Sequence, residues 1–391
     1  MQKNKSLVLG ITGGIAAYKT AELVRLLIKS NIDVQVVMTE SATKFITPMT
    51  MQALSGKPVF VGMWDEGIDN GMPHIELSRH ADAILIAPCT AEFVAKLLHG
   101  RADDLLSTLC LARDCPLLVA PAMNKQMWEN PATQRNFTQL AADNISIFGP
   151  GNGEQACGET GDGRMLEATE LLAHVQAHFT PKILANKKLL ITAGATLEMI
   201  DPVRGITNLS SGKMGYALAQ VAADMGAKVT LVSGVSHLPA PINVSIKYAS
   251  SAEMMYNTVM DNIADQDIFI GVAAVSDYAP NEVANQKIKK NAELLTIQLK
   301  RNKDILAEIA NRPNPPFCVG FAAESENVIE YATQKRIAKK LALIVANEVI
   351  SAMGSDENQV TLIDDNGNHP FQRTSKVNVA TIVLKHINKL L

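Results

Sequence analysis

The stretch Pro121-Ala-Met-Asn-Lys-Gln-Met-Trp128 sets an amide, Asn124, between soft, large side chains directly after the apolar run Leu117-Leu-Val-Ala120. Pro116 opens that run and Pro121 closes it, as expected of a short buried strand. Asn124 is then expected at the carboxyl end of a strand, the edge at which open α/β sheets bind ligands. Met123, Met127 and Trp128 suit a flat ring or an apolar wall. They suit equally well the core beneath a capped strand.

Other residues repeat the theme. Leu7-Val-Leu9 leads into Gly10-Ile-Thr-Gly-Gly-Ile-Ala-Ala-Tyr-Lys19, which reads as strand, glycine turn, helix. Gly13 and Gly14 would let backbone approach a ligand, with helix N–H groups free for an anion. The turn matches neither G-x-G-x-x-G nor the Walker pattern, and an ordinary βα turn has the same composition. Thr39, Ser41 and Thr43 cluster after the strand Asp33–Met38, where hydroxyls could meet a phosphate or a ring. Thr90 and Ala91 follow the strand Ala83–Ala87 in a second strand-to-helix turn. His74 is expected in a loop before an apolar segment. Cys157 lies among Gly158, Gly161 and Gly163 with Arg164 nearby, on a segment expected to be a mobile flap.

In the second half, Lys188-Leu-Leu-Ile-Thr192 reads as a strand. Asn208-Leu-Ser-Ser-Gly-Lys-Met-Gly215 then opens a helix, and Ser210, Ser211, Gly212 and Lys213 would make a phosphate cradle. No G-x-G-x-x-G and no acidic residue after the next strand are present, which disfavours NAD. Ile268–Val275 reads as a strand ending at Ser276-Asp-Tyr-Ala-Pro280, followed by Lys287-Ile-Lys-Lys290. A lysine cluster is commonly a solvated face. Opposite Asp277 it could instead hold a metal-bound triphosphate.

These groups need rigid elements to position them, and the chain has the material. It is 391 residues long, 47% hydrophobic and 19% charged, enough for two or three packed domains. A net charge of −3 gives no bias toward nucleic acid or a membrane. Cys89, Cys110, Cys115, Cys157 and Cys318 contain no C-x-x-C pair, so neither a disulfide framework nor a zinc site is expected. A reducing cytoplasm is the expected compartment. The polar start Met1–Ser6 is unlike a signal peptide, and no apolar run reaches membrane-spanning length. A boundary is expected within 177–188, where a helix ends, Pro181 intervenes and the βα pattern restarts.

Gly13-Gly-Ile-Ala-Ala-Tyr-Lys19, His74, Ala87-Pro-Cys-Thr-Ala91, Pro121-Ala-Met-Asn124 and Ala156-Cys-Gly-Glu159 together resemble the FMN-dependent cysteine decarboxylases, above all those acting on phosphopantothenoylcysteine. The resemblance covers roughly 5–180. It implies that the substrate thiol is oxidised on FMN, that carbon dioxide leaves, and that the electrons return to the resulting enethiol, with the cofactor carrying the difficult chemistry. It implies His74 as base, Asn124 as the carboxylate-binding group and Cys157 as proton donor. The FMN contacts implied are Gly13, Gly14, Ile15, Thr39, Ser41, Thr90, Ala91 and Met123. Cys89 stands where that family often has Ala, which would put an extra thiol near the flavin phosphate.

Gly194-Ala-Thr196, Asp201-Pro-Val-Arg204, Asn208, Ser211-Gly-Lys213, Asp277–Pro280, Lys287–Lys290 and Gly320-Phe-Ala-Ala-Glu324 resemble the phosphopantothenate–cysteine ligases over roughly 186–391. That resemblance implies CTP-dependent activation of 4′-phosphopantothenate as an acyl-cytidylate, then attack by the amine of L-cysteine. It implies Asn208 and Lys287 as catalytic, and Arg204, Ser211, Asp277, Lys289, Lys300, Asp304 and Phe321 as substrate or nucleotide contacts. Mg²⁺ would bind with CTP at Asp277. Two positions depart from the family pattern: Ser276 stands for a commoner Ala beside Asp277, and Lys303 stands where Pro is usual before Asp304, which weakens the ribose contact by Asp304.

The whole chain thus resembles the fused bifunctional enzymes of bacterial coenzyme A synthesis. The fold implied is two Rossmann-like doubly wound α/β domains, 1–180 and 186–391, the first flavodoxin-like and FMN-binding. The partners implied are the small-molecule substrates and further copies of the chain, with trimers from the first half and dimers from the second together building a dodecamer. Two other classes compete. A non-catalytic flavin-binding regulator is opposed by the joint presence of His74, Asn124 and Cys157. A flavin reductase or dehydrogenase is opposed by the missing dinucleotide fingerprint.

Overall fold

The computed structural model describes residues 4–64, 72–289, 293–348 and 354–391. The chain divides into two compact units, Met1–Phe179 and Thr180–Leu391.

In the first unit, β1 (Lys5–Ile11), β2 (Ile32–Met38), β3 (Ala83–Cys89), β4 (Leu117–Pro121) and β5 (Ser146–Ile147) form one parallel sheet in the order β2-β1-β3-β4-β5. This is the flavodoxin-like doubly wound order, whose switch point lies between β1 and β3. The strands are almost continuously apolar because both faces are covered. Leu7, Leu9 and Ile11 pack on one face with Leu23 and Leu27 of α1 (Lys19–Lys29) and with Leu171 and Val175 near the end of the unit. Val8, Ile84 and Ile86 point the other way, against Phe93, Leu106 and Leu140. Burying each such side chain contributes about 1.5–3 kcal/mol.

Two sequence expectations change here. His74 lies not in a loop but on the short helix α3 (Pro73–Arg79), which follows α2 (Pro48–Ser55). Pro73 at its first position supplies the fixed φ that starts a helix. The segment expected to be a mobile flap contains an antiparallel hairpin, β6 (Gly151–Glu154) paired with β7 (Thr160–Arg164), with Cys157 at its tip. Gly161 and Gly163 serve close packing. A Cβ on Gly163, whose φ is +123°, would stand 2.5 Å from the Met123 carbonyl oxygen, and the Met123 N–H donates to the Gly163 carbonyl at 2.9 Å.

The second unit begins with β8 (Lys188–Ala193), followed by the ribbon β9 (Leu197–Met199) and β10 (Gly205–Thr207). Its main sheet continues with β11 (Lys228–Ser233), β12 (Val244–Tyr248) and β13 (Ile268–Gly271). The strand expected over 268–275 therefore stops at Gly271. After the small hairpin β14 (Tyr278–Pro280) and β15 (Leu299–Arg301) come β16 (Phe317–Glu324) and β17 (Leu343–Glu348). β18 (Glu357–Asn358) precedes the outer hairpin, β19 (Thr361–Asp364) and β20 (Gly367–Pro370). The order is β12-β11-β8-β13-β16-β17-β19-β20, parallel as far as β17 and antiparallel beyond it. One face carries Leu218 and Ala222 together with Val379, Val383 and Ile387 of the C-terminal helix Lys376–Leu390. The other face carries Met255, Val259, Ile309 and Ala332. No helix among the described residues is long and apolar enough to cross a membrane.

Candidate active sites

A cavity of ≈ 630 Å³ opens at the carboxyl edge of the first sheet, where β1 and β3 diverge. Gly13, Gly14 and Ile15 line it after β1, Thr90 and Ala91 after β3, and Met123 and Asn124 after β4, with Met127, Cys157 and Arg164 completing the wall. Gly13 is needed for close approach: a Cβ there would sit 2.5 Å from Ser41 Cβ and 3.0 Å from its backbone carbon. Thr12 Oγ1 donates to the Pro88 carbonyl at 2.7 Å, which ties the first turn to the second. The Thr90 hydroxyl caps α4 (Ala91–Leu98) by accepting from Phe93 N–H. Ile15 and Tyr18 stay about 60% exposed at the mouth, which leaves an apolar wall facing outward.

The backbone fixes Asn124. Its Oδ1 accepts from the N–H groups of Gln126 and Met127, capping the short helix Lys125–Glu129. The oxygen is thus committed, and Nδ2 is left to donate toward the cavity. In this structure it donates to Glu159 Oε2 at 2.5 Å, while Gln126 Nε2 donates to Glu159 Oε1 at 2.9 Å. These two donors, Gln126 first, hold the Glu159 carboxyl below its usual range. The Cys157 thiol donates to Glu159 Oε2 at 3.5 Å, and its sulfur is 3.6 Å from Asn124 Nδ2. Glu159 appears in the sequence motif without an assigned role, yet it joins the amide to the thiol.

The structure does not bring every expected residue to this cavity. His74 is half-buried on α3 and does not line it. The Thr39 hydroxyl is occupied in capping a short 3₁₀ turn through Ala42 N–H. Ser41 backs Gly13 from outside the lining. Trp128 packs on Phe137, ring centroids 4.8 Å apart, and belongs to the core. The extra thiol of Cys89 does not reach the cavity: it is fully buried, and burial drives its pKa well up. Lys19, unassigned in the sequence, is buried with its ammonium donating to the Met165 carbonyl and to Glu167.

In the second unit a narrower cavity of ≈ 110 Å³ lies at the carboxyl edge between β8 and β13. Gly194, Ser210, Ser211, Gly212 and Lys213 line it, with Phe321 on β16 and Asn347 on β17. The helix Lys213–Asp224 starts at this point, so its N–H groups face the cavity edge. Lys213 Nζ donates to Asp356 at 2.7 Å and lowers that carboxyl, while burial lowers Lys376, another lining residue. Asn208 is engaged at both ends. Its Nδ2 donates to the Ala274 carbonyl at 2.6 Å, and its Oδ1 accepts from Ser210 N–H at 3.0 Å.

The expected lysines stand elsewhere. Lys287 and Lys289 are exposed and do not line this cavity, and Lys290 lies outside the described residues. Between Lys287 and Lys289, Ile288 is latched by its backbone: its N–H donates to Asp201 Oδ2 at 3.1 Å and its carbonyl accepts from Arg204 Nη2 at 3.1 Å. Arg204 also grips Asp201 Oδ2 through Nη2 at 2.5 Å and Nε at 3.0 Å, so it is committed within its own chain. The Arg204 guanidinium holds the buried Asp201 carboxyl far below the usual range.

Asp277 is exposed and precedes β14, whose Ala279 pairs with Lys300 on β15. Asp304 caps the helix Ile305–Ala310 through Ala307 N–H and pairs with Lys339; burial raises its carboxyl, but these partners bring it below the usual range. Lys303 Nζ sits 4.1 Å over the Tyr256 ring. Ser211 and Phe321 therefore share one cavity and Asp277 and Lys300 one hairpin, while Lys287 and Lys289 flank the latch.

Comparison with known proteins follows the same division. The Flavoprotein family model matches residues 1–180, and the model described as DNA/pantothenate metabolism flavoprotein C-terminal domain matches residues 184–391. A coenzyme A biosynthesis bifunctional protein CoaBC of Vibrio cholerae is 50% identical over 391 residues, covering 98% of each chain. Its Escherichia coli counterpart is 46% identical over 391 residues, covering 98% of this chain and 96% of that one. Among solved structures, the C-terminal domain of a CoaBC protein matches at 40% identity with a TM-score of 0.47, covering 54% of this chain and 97% of that one. The chain belongs to the family of coenzyme A biosynthesis bifunctional proteins.

Proposed function

We infer that the chain catalyses two consecutive steps of coenzyme A biosynthesis, in the reverse of chain order. Residues 186–391 join 4′-phosphopantothenate to L-cysteine at the expense of CTP, and residues 1–180 decarboxylate the product to 4′-phosphopantetheine. The observation that carries this reading is the full-length identity to bifunctional relatives, with a separate family model on each half.

FMN fits the first cavity. Glycines without a Cβ at the β1 turn and a capped helix start at Thr90-Ala91 suit its phosphate, and the apolar mouth suits a flat ring. When bound, FMN supplies the redox chemistry that makes the bond to the carboxylate labile. The protein's own part is positional. Asn124 Nδ2, aimed by the cap, binds the substrate carboxylate. Cys157 delivers the proton to the product carbon framework from the hairpin tip. The role of His74 as the base that takes the thiol proton rests on resemblance.

In the second half, the substrate carboxylate attacks the α-phosphorus of CTP and pyrophosphate leaves. The cysteine amine then attacks the acyl carbon and CMP leaves. Lys287 offsets charge on the phosphate under attack. Ser211 and the helix start at Lys213 hold phosphate oxygens. Asp277 is proposed to meet Mg²⁺ carried in with CTP, and Lys289, Lys300, Asp304 and Phe321 to contact substrate or nucleotide. The chain is proposed to act as a homo-oligomer in the cytoplasm; exposed Val203, Leu209 and Leu294 support association of the second unit.

The deciding experiment supplies 4′-phosphopantothenate, L-cysteine and CTP, with and without FMN. Pyrophosphate should appear in both, and carbon dioxide and 4′-phosphopantetheine only with FMN. No pyrophosphate from CTP would overturn the ligase half, and no carbon dioxide with FMN the decarboxylase half.

Two variants test the parts that sequence alone did not reveal. Glu159 occupies the amide that the substrate carboxylate needs. Glu159→Gln replaces a charged acceptor by a neutral one, a difference of about 1 kcal/mol. The KM for phosphopantothenoylcysteine should fall about fivefold at unchanged FMN content; an unchanged or raised KM would refute the competition. Asp201→Asn removes the charge that grips Arg204 and Ile288. Ligation should fall about tenfold or more, since a misplaced segment is costly, while decarboxylation stays intact. The latch also has a pH signature. Its folded carboxyl is depressed, so its stabilisation is complete above the unfolded carboxylate value of about 3.9. It is lost only as pH falls toward the lower folded value.

A further inference from the structure

The second sheet has another cluster at its opposite edge. β19 runs antiparallel to β17, and Ile363 pairs with Ile344, so Asp364 lies at the amino end of β17. The cavity lies at the carboxyl edge of the same sheet. Asp364 meets two imidazoles there. Its Oδ2 is 2.7 Å from His386 Nε2, and its Oδ1 is 3.2 Å from His369 Nε2. All three ligand atoms fall within 4.8 Å of one another. The Asp364 side chain is 2% exposed and that of His386 15%, with His369 at the rim.

We propose that Asp364, His369 and His386 form a binding site for a divalent transition metal, zinc best fitting the donor set. Two imidazole nitrogens and one carboxylate oxygen exclude magnesium and calcium, which take oxygen ligands. The same set is a common three-ligand zinc arrangement with a fourth position left for water. Tetrahedral zinc with bonds near 2.0–2.1 Å needs its ligand atoms about 3.3 Å apart. The 2.7 and 3.2 Å contacts are to the two different Asp364 oxygens, and one oxygen and the two imidazole nitrogens all lie within 4.8 Å of one another, so the set reaches that spacing by shifts of the imidazoles about the carboxylate and loss of the two imidazole–carboxylate hydrogen bonds.

The three residues come from three rigid places. Asp364 ends β19, and its Oδ1 accepts from Asn366 N–H at 2.7 Å in the turn to β20. His369 is set by the pairing of β20 with β19, opposite Leu362. His386 lies on the C-terminal helix, beside the fully buried Leu384 and Ile387. The neighbouring Asp365 is taken by Arg336, which leaves Asp364 to the imidazoles. A bound metal would clip the outer hairpin to the last helix, and none of its three ligands lines the cavity of that sheet.

The test uses the full chain carrying Cys157→Ser, so that the exposed thiol gives no background. After chelation and dialysis, zinc is titrated calorimetrically and cobalt(II) spectroscopically, and thermal unfolding is followed. One metal should bind per chain, with a tetrahedral cobalt band and a melting midpoint raised by a few degrees. His386→Asn should weaken binding by about a hundredfold and abolish the thermal shift. His369→Asn, at a less buried position, should do the same about tenfold and guards against a folding defect. Pyrophosphate release should be retained in both. No zinc uptake by the parent chain, or parent-like affinity in both variants, would overturn the proposal.

Discussion

Replacing Lys287 by glutamine should slow pyrophosphate release from CTP and 4′-phosphopantothenate by about 10²–10³, the usual cost of removing one preorganised charge from a phosphoryl or acyl transition state. The fold should not suffer. Lys287 is exposed, and the segment is held by the backbone of Ile288, which the substitution leaves alone. The glutamine keeps a hydrogen-bond donor on a side chain one atom shorter but lacks the charge. The loss should therefore fall on the activation step, seen by quenching a reaction without cysteine and weighing the acyl-cytidylate. Decarboxylation of added phosphopantothenoylcysteine should continue at the parent rate. Wild-type pyrophosphate release in Lys287→Gln would remove this lysine from activation. Loss of decarboxylation in a folded, yellow variant would contradict two independent sites.

Cys157→Ser should separate carbon dioxide release from product formation. The hydroxyl fits the same hairpin tip, and Glu159 can still accept from it. It is, however, a far weaker acid than a thiol, and positioned proton transfer contributes about 10²–10⁴ to such steps. Carbon dioxide should appear in amounts close to the enzyme present, while 4′-phosphopantetheine falls by at least about a hundredfold. The yellow absorbance should bleach on adding substrate and fail to recover. Full recovery with normal product would assign the proton to another group.

The doubly wound order of the first sheet was legible because both faces of its strands are buried. The runs at Leu7, Ala83 and Leu117 are apolar throughout, and each ends in turn residues at the ligand edge. Asn124 was legible by position, but its orientation was not, because that depends on which backbone N–H groups its oxygen caps. The hairpin was hidden by its glycines, which resemble a loop until Gly163 is seen pressed on the Met123 carbonyl. Helix α3 was hidden because Pro73 starts it, and proline reads first as a breaker. Arg204 suggested a reach toward substrate; three residues from Asp201, it instead closes on its own turn. Asp364, His369 and His386 gave no signal at all, since a hairpin and a helix bring them together across 22 positions.

The Asp201–Arg204 latch holds Ile288 only by its N–H and carbonyl, groups that every residue except proline offers alike. The latch itself therefore sets no side-chain identity at position 288, whereas it does set the spacing around it. A one-residue insertion or deletion between Arg204 and Lys289 that shifted the segment would present the wrong neighbours beside the gripped peptide, with every lysine still present. What heredity must keep here is a count of residues more than their identity, a constraint that substitution scans pass over and length variants expose.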